Sequence, residues 1–359
     1  MPEIDARRIG LALDVAGCPN RCRHCWLTCH ANQPMDERAI LEVAGVFRAA
    51  LSVRTECFQV LTWIREPDFH PDYARLRELE RELSDEAVAD DWGLLSVWRL
   101  ARDPHYADWA REHRGAKTCQ ITYFGTGETN DWFYRRKGAH DDCMAATEAC
   151  LRAGIIPRWQ LFLTKKMVPH LDEWEPLIRD LRLRERCEEI GGEFTVFIHT
   201  PSPDGEAFGL ERLRPTKADI EAVPMCLMSE SRRHLRCVDP LGEPEGRLVR
   251  RVLSGELDIP PTLPPQLWFQ VTPSFDVYSN LGEMSPPWRL GNLQIDSITD
   301  IIRRLETDFP PAFRPAFGVP TPELARAWGQ PRGRRYYTPS DLRARWVKQW
   351  REPEPTSVD

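Results

Sequence analysis

The sequence predicts an α/β protein: a parallel sheet curled toward a barrel, followed by a small β-hairpin and helix extension. Two observations carry this. Through the first two-thirds of the chain, short apolar runs bounded by Gly or Pro alternate with charged stretches of helical period. After about Pro201 the alternation stops, and proline and glycine become dense, most of all in the segment DIPPTLPP at 258–265. Hydrophobic residues at 42% and charged residues at 29% suit a globular chain and exclude a disordered one.

The elements follow in order. Residues 8–15 (RIGLALDV) read as a buried strand that stops at Gly17, and 36–51 as an amphipathic helix. Residues 57–63 (CFQVLTW) form the next strand, ended by Pro67, and 73–83 a helix with a charged face. Residues 94–98 are expected as a third strand, with a helix at 104–113. A fourth strand, 119–124 (CQITYF), is closed by Gly125 and Gly127, and the helix 141–153 is capped by Gly154. Strands at 158–164 and 194–200 flank a helix at 171–186. Six strand–helix units in series favour parallel pairing through right-handed crossovers.

Four divisions are expected: a core barrel over 1–225, a linker over 226–265, an extension over 266–310, and a Pro/Arg-rich tail over 311–359. The extension holds a hairpin at 267–278 turned at Pro273-Ser274 and a helix at 297–305. In the tail only 342–350 reads as helical.

The formal net charge of the 359 residues is −7, which argues against a nucleic-acid partner held by phosphate contacts. No apolar run approaches the ~18 residues of a membrane span, and the N-terminus has no apolar signal region. The 11 cysteines, without an export signal, are not expected to form a disulfide framework, so the protein is expected in the cytoplasm.

Three of those cysteines stand apart. In Gly17-Cys18-Pro19-Asn20-Arg21-Cys22-Arg23-His24-Cys25-Trp26 the thiols are spaced by four and three. Three thiolates on one tight loop can hold three corners of an iron–sulfur cube, leaving one iron open to a ligand. The loop follows the first strand, at the carboxyl end of a parallel sheet, where barrel folds place their chemistry. The same thiols with His24 or His30 would also make a zinc site.

This loop resembles that of the radical SAM superfamily, whose hallmark is Cys-x3-Cys-x2-Cys after the first strand of a partial (β/α)6, TIM-like barrel. The resemblance implies that Cys18, Cys22 and Cys25 bind one [4Fe–4S] cluster. Its open iron would be chelated by S-adenosyl-L-methionine (SAM), which reductive cleavage converts to a 5′-deoxyadenosyl radical. His24 would then lie near the adenine. The stretch Ile64-Arg65-Glu66-Pro67 is similar to the family's Gly-Gly-Glu-Pro, with Ile64 and Arg65 in place of both glycines. Glu66 would hold the methionine ammonium group, and Arg65 would reach a carboxylate of SAM or substrate. Thr122, in Thr122-Tyr123-Phe124-Gly125, stands where a hydroxyl contacts SAM, and Arg135 or Arg136 where an arginine pairs with its carboxylate. His199, ending the sixth expected strand, would lie at the catalytic rim.

Residues 271–278 and Leu290-Gly291-Asn292-Leu293 resemble a SPASM or twitch extension, but no cysteine follows Cys237. The extension is therefore expected to lack an auxiliary cluster. No cobalamin-binding or leader-recognition domain is expected ahead of the first strand. Together these favour a radical reaction without net oxidation on a small molecule (a sugar, nucleoside or amino acid). The reaction would be a rearrangement, elimination, epimerisation or reduction fed by an external one-electron donor such as flavodoxin or ferredoxin. The alternatives are a peptide maturase with a separate leader-binding partner and a non-catalytic zinc-loop protein.

Overall fold

A computed structural model describes residues 7–28, 32–52, 55–62, 66–86, 93–261, 266–308 and 310–351. Two parallel sheets form its centre. In the first, β1 (Arg8–Leu13) lies between β2 (Cys57–Leu61) and β7 (Leu267–Val271), parallel to both. In the second, β3 (Thr118–Tyr123), β4 (Ile156–Phe162) and β5 (Thr195–His199) run parallel in chain order. Ile9, Leu11, Ala12 and Leu13 are all buried, because β1 has a neighbour at each edge and cover on both faces.

Helices cover the strands. α1 (Glu37–Leu51) turns Ile40, Val43, Ala44, Phe47 and Leu51 inward, and Asp36 caps it by accepting from the Ala39 amide. α2 (Tyr73–Leu83), α3 (Val97–Arg102) and α4 (Tyr106–His113) follow β2. α5 (Gly127–Tyr134) and α6 (Ala139–Ala153) follow β3, and α7 (Trp174–Asp180) and α8 (Leu183–Glu189) follow β4. After β5 come α9 (Lys217–Glu221) and α10 (Met225–Leu235), and the serine hydroxyl of Ser231 on α10 donates to Leu227 while accepting from the Ile198 amide of β5.

The third expected strand is replaced. Residues 93–96 carry no regular structure but touch β3, where the Gln120 amide donates to the Gly93 carbonyl at 2.6 Å, and Ser96 then caps α3. A serine one residue before Val97 turns a short apolar run into a helix start. The interval between β2 and β3 thus lacks a regular strand among the described residues.

The C-terminal third holds more structure than expected. The span expected as a linker contains α10, β6 (Glu243–Pro244) and α11 (Glu245–Leu253). The hairpin of β7 and β8 (Asp276–Tyr278) forms as expected, pairing Val271 with Val277, and β9 (Arg289–Asn292) extends it. Through the β1–β7 ladder this hairpin continues the first sheet. α12 (Ile298–Arg303) then packs against the same core, with Ile301 fully buried. In the tail the helix expected over 342–350 forms as α14 (Pro339–Arg351), and it is preceded by elements the sequence did not announce, α13 (Thr321–Trp328) and β10 (Tyr336–Tyr337), which pairs with β6. These share a separate apolar cluster with α11 that includes Val249, Leu324, Tyr337 and Trp346. Arg345 on α14 is buried against two carboxylates, Glu211 at 3.0 Å and Glu245 at 2.9 Å. Among the described residues no helix is long and apolar enough to cross a membrane.

Candidate active site

The carboxyl ends of both sheets open on one cavity of about 510 Å³. Its wall includes Cys18, Cys22, Cys25 and His24 from the loop after β1, Glu66 after β2, and Gln120 and Thr122 of β3. Gln160 and Phe162 of β4, then Ser202 and Asp204 beyond β5, complete it. The size is that of a small-molecule or cofactor pocket.

Gly17 starts the loop at φ +78°, and a Cβ there would run into the Asn32 amide. Asn32 clasps the next residue: its Oδ1 accepts from the Cys18 amide at 3.1 Å and its Nδ2 donates to the Cys18 carbonyl at 2.8 Å. The Asn20 amide points at the Cys18 Sγ from 3.4 Å, a donor suited to a thiolate. Further on, the amides of Arg21 and Arg23 donate to the carbonyls of Tyr134 and Phe133, fastening the loop to the end of α5. Arg136 reaches Asn20 Oδ1 at 2.6 Å, and the Ala207 amide binds the Cys25 carbonyl. The loop is therefore anchored on three sides with its thiols on the cavity. This donor set, three cysteines around a shared space, fits a [4Fe–4S] cluster.

Glu66 faces the same space, its Oε2 at 3.9 Å from the Cys18 Sγ. Burial raises its carboxyl to about 7, against the opposing pull of the Trp98 amide; Asp68 raises it further, while Arg136 and the Ser96 hydroxyl lower it. A carboxyl this desolvated, with room beside it, suits a cationic ligand group.

His24 packs into an aromatic nest, 4.1 Å from Phe124, 5.5 Å from Tyr134 and 5.9 Å from Phe162 between ring centroids. Burial lowers it to about 3, so the imidazole is neutral. Thr122 donates its hydroxyl to Gln160 Oε1 at 2.9 Å, which leaves the threonine oxygen to accept from a ligand. Gln160 also takes a bond from Gln120 Nε2 at 2.8 Å and meets His199 Nε2 at 2.6 Å.

Of the other expected site residues, His199, Arg135 and Arg136 are not among those that line the cavity. His199 ends β5 as expected but stacks on Phe162 and Phe197 behind Gln160. Its depression to about 4 comes from burial first, then Arg214 and His234. Arg135 caps α5 in a left-handed conformation, is exposed, and pairs with Glu206 at 3.6 Å. Its neighbour Arg136 points inward, to Asn20 and to Asp142 at 2.5 Å. Arg65, and His30 of the zinc alternative, lie outside the described residues.

Sequence reasoning missed Gln120, Gln160, Asn20, Ser202 and Asp204. The two glutamines carried a signal: with Thr122 they fall on the half-buried positions of their strands, alternating with buried Ile121, Trp159 and Leu161. Asp204 and Ser202 bond to each other at 2.5 Å in a loop without regular period.

The fold matches that of anSMEcpe with bound AdoMet (SAM), at 14% identity and a TM-score of 0.50, over 96% of this chain and 97% of that one. The same protein with AdoMet and the Cp18Cys peptide matches at a TM-score of 0.51, 14% identity and the same coverage. Streptococcus suis SuiB bound to its precursor peptide SuiA matches at 11% identity and a TM-score of 0.44, over 86% of this chain and 67% of that one. No family model and no curated protein matches the chain. The chain shares the fold of anSMEcpe and carries a Cys-x3-Cys-x2-Cys loop at the carboxyl end of its first strand.

Proposed function

We propose that this chain is a radical SAM enzyme in which Cys18, Cys22 and Cys25 ligate one [4Fe–4S] cluster and the adjoining cavity binds S-adenosyl-L-methionine. The observation that carries this is the convergence of all three thiols and the Glu66 carboxylate on one cavity. When bound, the cluster and SAM supply a 5′-deoxyadenosyl radical that takes a hydrogen atom from a substrate.

The chain's own residues bind and orient. The Asn20 amide and the Asn32 clasp hold Cys18 in place. Glu66 holds the ammonium group of SAM, and the Thr122 oxygen accepts from a donor on it. His24, Phe124, Phe162 and Tyr134 form a dry wall, which protects a radical from water and strengthens the charge contacts. One cavity of about 510 Å³ must admit cofactor and substrate together, so only the reacting end of the substrate is enclosed.

The substrate is a small molecule with hydrogen-bonding groups that reach Ser202 and Asp204. The reaction is a rearrangement, elimination, epimerisation or reduction, since no cysteine beyond Cys237 offers ligands for a second, electron-accepting cluster. An external one-electron donor reduces the enzyme. A second reading, a peptide substrate, is favoured by one observation: the match to anSMEcpe with its Cp18Cys peptide spans 96% of this chain and 97% of that one. Anaerobic reconstitution tests the proposal. About four irons with matching sulfide per chain, the content of one cube, are expected; a colourless protein holding zinc and no iron would overturn it.

A further inference from the structure

In a chain of net charge −7, one surface next to the cysteine loop is strongly cationic. Arg21 and Arg23 flank Cys22 within the loop itself. Arg23 lies over the Trp132 indole, 4.2 Å from the ring centroid, and Lys166 lies over the same ring at 4.8 Å. Arg135 and Arg212 are close enough to Arg23 for their like charges to lower its pKa, although burial is the larger cause. Lys165, whose amide donates to the Leu213 carbonyl, brings the end of β4 beside Arg212. Arg21, Arg135, Lys165, Lys166 and Arg212 are exposed.

Elsewhere on the surface arginines are mostly neutralised, as Arg75 is by Glu37, Glu78 and Glu82. Here, among the described residues, only Arg135 has a carboxylate partner, Glu206 at 3.6 Å. Six cations with one acidic partner repel one another and lower stability unless a partner offsets them. The surface backs directly onto Cys22, because the Arg21 and Arg23 amides are bonded to the end of α5 that carries Trp132.

We infer that this cationic face, centred on Trp132 and backed by the cysteine loop, is the docking surface of an acidic one-electron carrier protein. The inference rests on the radical SAM reading, which requires an electron from outside the chain. Tunnelling falls steeply with distance, so a carrier must seat close to the cluster, and this face includes Arg21 and Arg23, the residues on either side of Cys22. Charge complementarity selects an acidic protein and steers its approach. Half-buried Trp132 seats Arg23 and Lys166 over its ring, so the face combines an aromatic base with cations, residue types enriched in interface hot spots.

The test is a Lys166→Glu/Arg212→Glu variant of the reconstituted holoenzyme; neither residue is in the cysteine loop or on the cavity wall. Formation of 5′-deoxyadenosine is measured with dithionite and, separately, with reduced flavodoxin over a range of salt. Lys217→Glu, on the exposed helix α9, is the control. Flavodoxin-supported turnover should fall about tenfold or more at low salt, with the deficit shrinking as salt screens the charges. Dithionite-supported turnover should match wild type, and the control should be unaffected.

Unchanged flavodoxin-supported turnover in the double variant would overturn the docking surface while leaving the enzymatic reading intact. No 5′-deoxyadenosine from the wild type with dithionite would instead remove that reading. Should the variant also lose dithionite activity, flavodoxin binding by calorimetry decides: weakened binding supports the inference and wild-type binding overturns it. Tighter wild-type binding of a DNA oligonucleotide or a poly-glutamate peptide than of flavodoxin at this face would also overturn it.

Discussion

The Glu66 carboxylate lies 3.9 Å from the Cys18 Sγ, joining the loops that leave two neighbouring parallel strands, β2 and β1. Glu66 holds that position because the residues after it are tied down from below. Asp68 is fully buried and accepts from the Tyr106 hydroxyl, with Arg114 at 3.2 Å and Arg77 at 3.6 Å. Arg77 also pairs with Glu80 at 2.8 Å, whose other oxygen accepts from the Thr62 amide just beyond β2. A chain of buried charge thus runs from the end of one strand to the cavity.

Asp68→Ala removes the buried carboxylate that Arg114 and Arg77 share, while Arg77 keeps Glu80. Stability should fall by about 3–5 kcal/mol, the cost of breaking a buried ion pair from one side. Urea unfolding checks this, and a loss under 1 kcal/mol would show that the network does not anchor the loop.

Glu66→Gln keeps the shape and removes the charge. A charge-assisted contact to an ammonium group contributes roughly 1.5–3 kcal/mol, so SAM affinity should weaken on the order of tenfold or more. Iron content should not change, because a carboxylate beside the thiols is not their replacement. Anaerobic calorimetry with SAM and an iron assay on the same sample separate the two effects.

Gly17→Ala should impair cluster retention without unfolding the protein. The alanine would have to adopt φ +78°, costing about 1–2 kcal/mol, and its Cβ would displace the Asn32 amide that clasps Cys18. The expected result is a reduced iron-to-protein ratio after gel filtration with near-normal circular dichroism. Full iron retention would show that the loop tolerates a shift at its first turn.

His199 gives a pH dependence with a definite sign. Burial depresses it from 6.5 to about 4, so the folded state binds fewer protons than the unfolded chain between those values. Its contribution is fully present above pH 6.5 and lost as pH falls toward 4, on the order of 3 kcal/mol. His199→Gln should flatten that acid limb in urea titrations at a series of pH values. An unchanged slope would assign the acid sensitivity to other groups.

Much of the architecture was legible because it lay in local pattern. The apolar runs at β1, β3, β4 and β5 and the Pro273-Ser274 hairpin announced themselves, and the cysteine spacing pointed to the loop that the fold places on the cavity. The rest was hidden for physical reasons. Residues 94–98 are apolar enough for a strand, and only the Ser96 cap decides for α3. On α14, which the sequence does announce over 342–350, the inward face also carries Arg343, Arg345 and Lys348, paired with distant carboxylates or carbonyls, so which face is buried is invisible to hydropathy. His199 and Arg135 sit at the expected places in sequence, yet a bulky Phe162 and a left-handed cap turn them off the cavity. Gln160, which does line it, is one polar letter inside a strand.

The central claim is that the three loop cysteines support SAM cleavage in the cavity they share with Glu66. It is tested most directly by 5′-deoxyadenosine formation from SAM and dithionite by the anaerobically reconstituted protein, wild type beside Cys22→Ala. The account expects 5′-deoxyadenosine from the wild type and none above background from the variant, whose iron is also lost. Wild-type protein with a full complement of iron that yields no 5′-deoxyadenosine, or a Cys22→Ala variant that yields as much as wild type, would contradict it.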